Sequence, residues 1–462
     1  TLYGFEIRPL TPGSIPLPAA SHAARWLRLR TNLAYGREAF LLGQNRMHGW
    51  WLYFPVAFLV KTPLPTLVLS LIGIPIFIRN LVRAVRWRRA AGALALGLFP
   101  LLYSVASLTS TLNIGYRHLL PVLPFLYVGL GGLTAGRRRE ARRLRIVRRA
   151  AVILLIVGQV ASALSVAPHY LASFNPIAGG PENGRRYLAD SNTDWGQTFK
   201  ALTEFQERHD PGSVKLSSFT FYDPALYGVD YTPIAPMTGA EAVLPRRFNP
   251  APGLYAISAT TLDGVPLPYP ATYSWFRHRE PFAKIGYAMF LYRVGEPTSA
   301  PRWLAQCTVP APPLTPAAIE EGFGVPNLRQ IAFDCTQSWI YPGEGETPGW
   351  IALNTPGIDA LRWPRETAHL KWWPVWTEAL PRSTVDLSYV QPQSGALPPF
   401  AIWTRQPTDL SGAYDPRPTA LEGTLTFLGA SAPERAAAGE PLAVMTYWRV
   451  ESVPARPLSL ML

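Results

Sequence analysis

The sequence predicts a mixed fold: a polytopic α-helical membrane region, then an extracytoplasmic α/β domain, then β-sandwich-like modules. Three observations predict it. Four apolar runs occupy Pro63–Ile78, Ala90–Leu112, Leu119–Ala135 and Ala150–Ala167, each near the roughly 17–25 residues that a spanning helix requires. Arginine crowds the gap between the first two runs and again the gap between the last two. From about Arg302 the composition turns to Pro, Trp and short runs that alternate apolar and polar residues, as half-buried strands do. The boundaries follow: a loop with an interfacial segment over 1–62, four transmembrane helices over 63–167, an extracytoplasmic α/β domain over 168–300, a β-rich module over 301–405 and a partial β-sandwich over 406–462.

The charge pattern sets the direction of the membrane part. RNLVRAVRWRR (79–89) holds five Arg, and GRRREARRLRIVRR (136–149) holds eight Arg and one Glu, so these two stretches carry +12 of the net charge of +13. A nucleic-acid surface spreads Lys and Arg along a face; two short clusters between apolar runs are instead what the positive-inside rule places in the cytoplasm. Two crossings separate the clusters, so both fall on one side. Residues 1–62, the short turn 111–118 and everything beyond 168 then face outward in a multi-pass protein of the plasma membrane, with the bilayer and no nucleic acid as partner.

Ahead of the first run, GWWLYF (49–54) reads as an interfacial aromatic belt. Lys61 follows at the same outer level, either snorkelling to the headgroups or reaching an anion. Arg117 and His118 stand at the lip of the third run, on the outer side and against the charge rule, where a cation is costly and is usually kept for a partner. Tyr116 adds a hydroxyl, and Pro121 and Pro124 kink the helix expected from the third run. Lys as a point charge and Arg as a bidentate fork suit a phosphate. Arg46 and His48, in FLLGQNRMHGWW, are either contacts to the same substrate or solvated loop residues.

FLLGQNRMHGWWLYFPVAFLVKTPLPTL, LNIGYRHLLPVLPFLYV and HYLASFNPIAGGPENGRRYLADSNTDWGQTFKAL resemble a group of bacterial membrane glycosyltransferases. These depend on a lipid carrier and are related to the protein O-mannosyltransferases and the aminoarabinose transferases of lipid A. The resemblance covers about residues 1–300. It implies a partial GT-C-like helical fold and inverting transfer of one sugar from a polyprenyl-phosphate donor to a protein or glycan acceptor outside the cytoplasm. It also implies that Tyr116, Arg117, His118 and Lys61 hold the donor phosphate, and that the general base is a carboxylate in an outer loop upstream of Thr1, leaving the catalytic residue unassigned and a chain of this extent inactive alone. The rival expectation is a non-catalytic, membrane-anchored surface protein whose β modules bind glycans.

Beyond residue 168, DSNTDWGQTFKALTEFQERH predicts a helix from about Asp194 to His209, with Asn192, Thr193 or Asp194 as cap. Asp190 and Asp194 either serve that helix start or bind the acceptor or a divalent cation. VKLSSFTF (214–221), GLYAISATTL (253–262) and AMFLYRVG (288–295) predict strands, as do VDLSYV, FAIWTR, GTLTFLGA and PLAVMTYWRV further on. Neither GxGxxG nor GxxxxGK[ST] occurs, and no HExxH or CxxC supports zinc; no cofactor is assigned. Cys307 and Cys335 are the only cysteines. In an oxidising compartment they form one disulfide; otherwise they are two buried thiols.

Overall fold

The computed structural model describes residues 6–9, 15–35, 37–86, 91–131, 141–220, 222–237, 245–267, 269–277, 279–296, 301–309, 311–334, 340, 342, 347–354, 400–405, 419–421, 423–431 and 445–452. The chain divides into two units, one of Thr1–Pro245, Gly253–Tyr273 and Glu280–Val294, the other of Arg246–Pro252, Ser274–Arg279 and Gly295–Leu462.

The first unit opens with strands β1 (Ile7–Pro9) and β2 (Pro16–Pro18), helix α1 (Ala20–Tyr35) and a tight hairpin of β3 (Ala39–Leu41) and β4 (Gln44–Arg46). Leu42 and Gly43 take positive φ at the hairpin turn, the conformation a two-residue loop needs to match strand twist. Helices α2 (Tyr53–Lys61), α3 (Leu64–Arg86) and α4 (Ala91–Leu108) come next, then a 3-10 turn at Tyr116–Leu119, α5 (Leu123–Gly131) and α6 (Arg142–Leu164).

These helices correct the expectation of a polytopic, multi-pass region with four transmembrane helices. Among the described residues one helix, α6, is long and apolar enough to cross a membrane. An apolar run is not by itself one unbroken helix. The third run begins on the last residue of the 3-10 turn, and the described part of α5 is 9 residues, about 14 Å of rise against a hydrocarbon core of about 30 Å. Helix α3 has 23 residues and α4 has 18, and the apolar stretches counted within them among the described residues are Leu64–Arg79 and Leu96–Leu108. Pro75 and Pro100 interrupt the donors of those two helices. Helix α6, by contrast, has no buried residue. It touches α3 where Thr66 Oγ1 donates to Gln159 Oε1 at 3.0 Å.

After a run of short 3-10 turns comes α7 (Phe199–His209), then a five-stranded sheet. Its strands are β5 (Val214–Ser217), β6 (Tyr231–Pro233), β7 (Gly253–Ser258), which leads into the single turn α8 (Ala259–Leu262), β8 (Ala283–Ile285) and β9 (Met289–Val294). The order is β6-β5-β7-β9-β8, parallel among the first three and antiparallel for the last two. Phe199 and Leu202 of α7 pack with Val214, Leu216, Ala256, Met289 and Leu291 of the sheet.

The second unit holds α9 (Ser274–Arg277), β10 (Trp303–Cys307), α10 (Pro316–Phe323), β11 (Arg329–Phe333), β12 (Gly349–Asn354), β13 (Phe400–Arg405), β14 (Thr419–Leu421), β15 (Leu425–Ser431) and β16 (Met445–Val450). Strand β10 pairs in parallel with both β11 and β12, and β13 closes the sheet antiparallel. Parallel neighbours need a crossover, which α10 supplies between β10 and β11. Thr315 caps α10 through its side chain, Pro316 is the first helical residue, and Gly324 ends it at positive φ. This sheet lies in the stretch 301–405 expected as a β-rich module. Strands β14, β15 and β16 form a separate antiparallel sheet. VDLSYV lies outside the described residues. Cys307 is disulfide-bonded; Cys335, the only other cysteine of the chain, also lies outside them.

Candidate functional site

The site is built on α2. Its apolar face, Tyr53, Phe54, Ala57 and Val60, has the spacing of one helical stripe and packs with Leu41, Leu119, Phe174, Ala178 and Leu188. Both ends are held by asparagines distant in sequence. The Trp50 N–H donates to Asn113 Oδ1 at 2.6 Å. At the other end Asn175 Nδ2 donates to the Leu59 and Thr62 carbonyls at 2.6 and 2.7 Å, groups that a helix terminus otherwise leaves without partners.

The cationic turn Tyr116–Leu119 is fixed by Asn192, whose side chain is fully buried. Asn192 Oδ1 accepts from the Tyr116 N–H at 2.8 Å, and Nδ2 donates to the Tyr53 hydroxyl at 2.9 Å and to the Ala189 carbonyl at 2.8 Å. Its own carbonyl accepts from Lys61 Nζ at 2.7 Å. The Tyr116 hydroxyl pairs with Thr62 Oγ1 at 2.9 Å.

In a 3-10 turn successive side chains point about 120° apart, and the expected phosphate clamp is divided accordingly. Tyr116 and Lys61 line a cavity of about 220 Å³ together with Ser162, Val166, Tyr170 and Ser173. Arg117 and His118 are not among its lining residues. Arg117 is exposed, its guanidinium carbon 5.3 Å from the centre of the Trp195 ring. No carboxylate holds it by hydrogen bond or ion pair among the described residues.

Lys61 is more enclosed. Besides Asn192 it donates to the Leu171 carbonyl at 2.7 Å, and Nζ stands 4.2 Å from the centre of the Phe174 ring. Carbonyl dipoles without a carboxylate compensate the loss of water incompletely, so burial pulls its ammonium down to about 7. Burial also lowers the His118 imidazole, helped by Arg117 and opposed by Asp190.

Asp190 opens the second turn of the site and adopts φ +57, a left-handed conformation that costs a non-glycine residue about 1 kcal/mol or more. Its Oδ1 accepts from the Ser191 N–H and hydroxyl. Burial raises the carboxyl, while Ser191, Arg37 and Arg117 pull it back down. Two buried atoms here have no hydrogen-bond partner among the described residues: Asp190 Oδ2 and His118 Nε2.

Asp194 sits elsewhere. Its Oδ1 accepts from the Gly196 N–H at 3.0 Å, and burial pushes its carboxyl up to about 6, against hydrogen bonds that include one from Ser258. Thr193 Oγ1 meets Thr260 Oγ1 at 3.4 Å, and the Trp195 ring packs on Phe219. Residues 193–196 thus lie over the carboxyl ends of β5 and β7, the edge at which open α/β sheets receive ligands. The expected helix start is corrected: with Asn192 and Asp194 engaged in these bonds and Gly196 at φ +81, residues 190–192 form a 3-10 turn. Helix α7 begins only at Phe199, without a side-chain cap.

Of the residues expected from sequence, Lys61, Tyr116, Arg117, His118 and Asp190 come together around two touching turns. Asp194 serves the sheet edge. Arg46 stacks over Trp50 and His48 is exposed; no hydrogen bond, ion pair or ring contact among the described residues joins either to the others. No set of three or more His, Cys, Asp or Glu among the described residues is placed to hold a metal ion. Sequence reasoning missed Tyr53, Asn175 and Asn192. The signal available was a polar residue inside or beside an apolar stretch, which does not reveal a distant partner. Comparison with family models, with curated proteins and with solved structures finds no match.

Proposed function

We propose that this protein binds the phosphate of a polyprenyl-phosphate sugar and transfers the sugar to a protein or glycan acceptor outside the cytoplasm. The observation that carries this reading is Arg117: an exposed guanidinium on a turn fixed by a fully buried asparagine, with no carboxylate hydrogen-bonded or ion-paired to it among the described residues. Helix α6 supports the placement. Its first turns carry Arg142, Arg143, Arg145, Arg148 and Arg149, which the positive-inside rule keeps in the cytoplasm. Its far end, Ser162 and the nearby Val166, borders the cavity of Lys61 and Tyr116 on the opposite side of the bilayer. In the transfer, an acceptor hydroxyl oxygen bonds to the sugar's anomeric carbon and gives its proton to a carboxylate base. The carbon–oxygen bond to phosphate breaks, and its electron pair stays on the phosphate. A fixed cation stabilises the charge that grows there.

The test is binding of decyl phosphate to the full chain in nanodiscs. A charge-assisted hydrogen bond contributes about 1.5–3 kcal/mol, so Arg117→Ala weakens binding by about tenfold to a hundredfold. Equal affinity of variant and wild type rejects the reading. That one helix among the described residues qualifies as a span favours a second reading, a membrane-anchored surface protein that displays its sheets to bind glycans; it predicts glycan binding by the chain and none of decyl phosphate.

A further inference from the structure

The turn at Arg117 carries more than a phosphate requires. Asp190 Oδ2 and His118 Nε2 are buried and have no hydrogen-bond partner among the described residues. They belong to one junction. A Cβ on Gly115 would stand 3.2 Å from Ser191 Cβ, the Tyr116 N–H donates to Asn192, and Asp190 and Arg117 both act electrostatically on His118. The direction of Oδ2 is set by the chain, because Ser191 holds Oδ1 from two sides and the backbone of Asp190 is left-handed.

We infer that Asp190 and His118 grip hydroxyl groups of the sugar borne by the phosphate at Arg117, making the ligand class a glycosyl phosphate rather than a bare lipid phosphate. This rests on the phosphate reading of Arg117. A hydroxyl is both donor and acceptor. It donates to the carboxylate oxygen, and it satisfies the imidazole nitrogen in either tautomer. A ligand without hydroxyls leaves both buried atoms unpaired, and a site of that kind discriminates strongly against it. Lys61 and Arg117 offer only donors, so they cannot make this distinction. Asp190 and His118 act here as residues that determine specificity.

The experiment compares decyl phosphate with its phosphodiesters of mannose, glucose and galactose, by calorimetry on the full chain in nanodiscs. The wild type binds at least one diester about tenfold or more tighter than decyl phosphate. Asp190→Ala and His118→Ala each bring that diester close to decyl phosphate, weakening the diester by about tenfold more than they change decyl phosphate. Asp190→Asn, which tolerates the left-handed backbone, gives a smaller loss and serves in place of the alanine variant if that variant melts early. Absence of any preferred diester in the wild type overturns the inference, as does an equal loss for diester and decyl phosphate in the variants. Failure of decyl phosphate to bind, or its indifference to Arg117→Ala, removes the phosphate reading instead, so the two failures are told apart.

Discussion

Lys61 shows how far a single residue can be read from sequence. Its place before an apolar run left it either snorkelling or reaching an anion, whereas Arg117 and His118, against the charge rule, were marked as cations kept for a partner. Asn192 carried no such mark: its partners Tyr116 and Tyr53 lie 76 and 139 positions away, and a short polar residue before an expected helix looks like a cap. The burial of Lys61 has a consequence for pH. Its folded-state value is about 7, while an unfolded lysine holds its proton to about pH 10.4. Between these values the unfolded chain binds more protons than the folded one, so stability rises with pH across the window. Below about pH 7 both states are charged, and the unfavourable contribution is complete. Lys61→Met abolishes this slope: the stability difference between wild type and variant shifts in favour of the wild type from pH 7 to about 9.5. Denaturant titrations in detergent measure it, and a pH-independent difference contradicts the burial of the ammonium.

At the scale of elements, α2 is a beam held at both ends, and its far terminus depends on Asn175. Asn175→Ala leaves two carbonyls without donors and is expected to lower stability by about 1–3 kcal/mol. Asn175→Asp does no better, since a carboxylate cannot donate; thermal melts that rank Asp above Ala speak against the capping role. Strands were legible where β-branched and aromatic residues ran between turns, as at Val214, Gly253 and Met289. Helix limits were not, for two physical reasons. The side chain of Asn192 satisfies distant groups, and that of Asp194 is taken by the Gly196 N–H two residues on, at a left-handed glycine where the helix has not yet begun. Apolar composition, moreover, measures how greasy a stretch is, not how many consecutive residues stay helical, and the Tyr116–Leu119 turn inside an apolar run shows the difference.

For the whole molecule, α6 fixes a test of sidedness. With five arginines in its opening turns and a positive-inside orientation, a membrane-impermeant maleimide added to intact cells labels Tyr170→Cys and misses Arg145→Cys. Labelling of the second position alone reverses the orientation. Composition identified α6 through its charge asymmetry, whereas among the described residues the other apolar runs form no further helix that qualifies as a span. One last feature bears on supply. Residues 193–196 already cover the strand ends at which a doubly wound sheet would admit a nucleotide, so a water-borne nucleotide sugar finds that berth taken by the side chains of Thr193 and Trp195. On the reading proposed for Arg117, the reactant then drifts in laterally from the lipid, and turnover tracks how much loaded carrier the membrane dissolves, not the concentration of any solute.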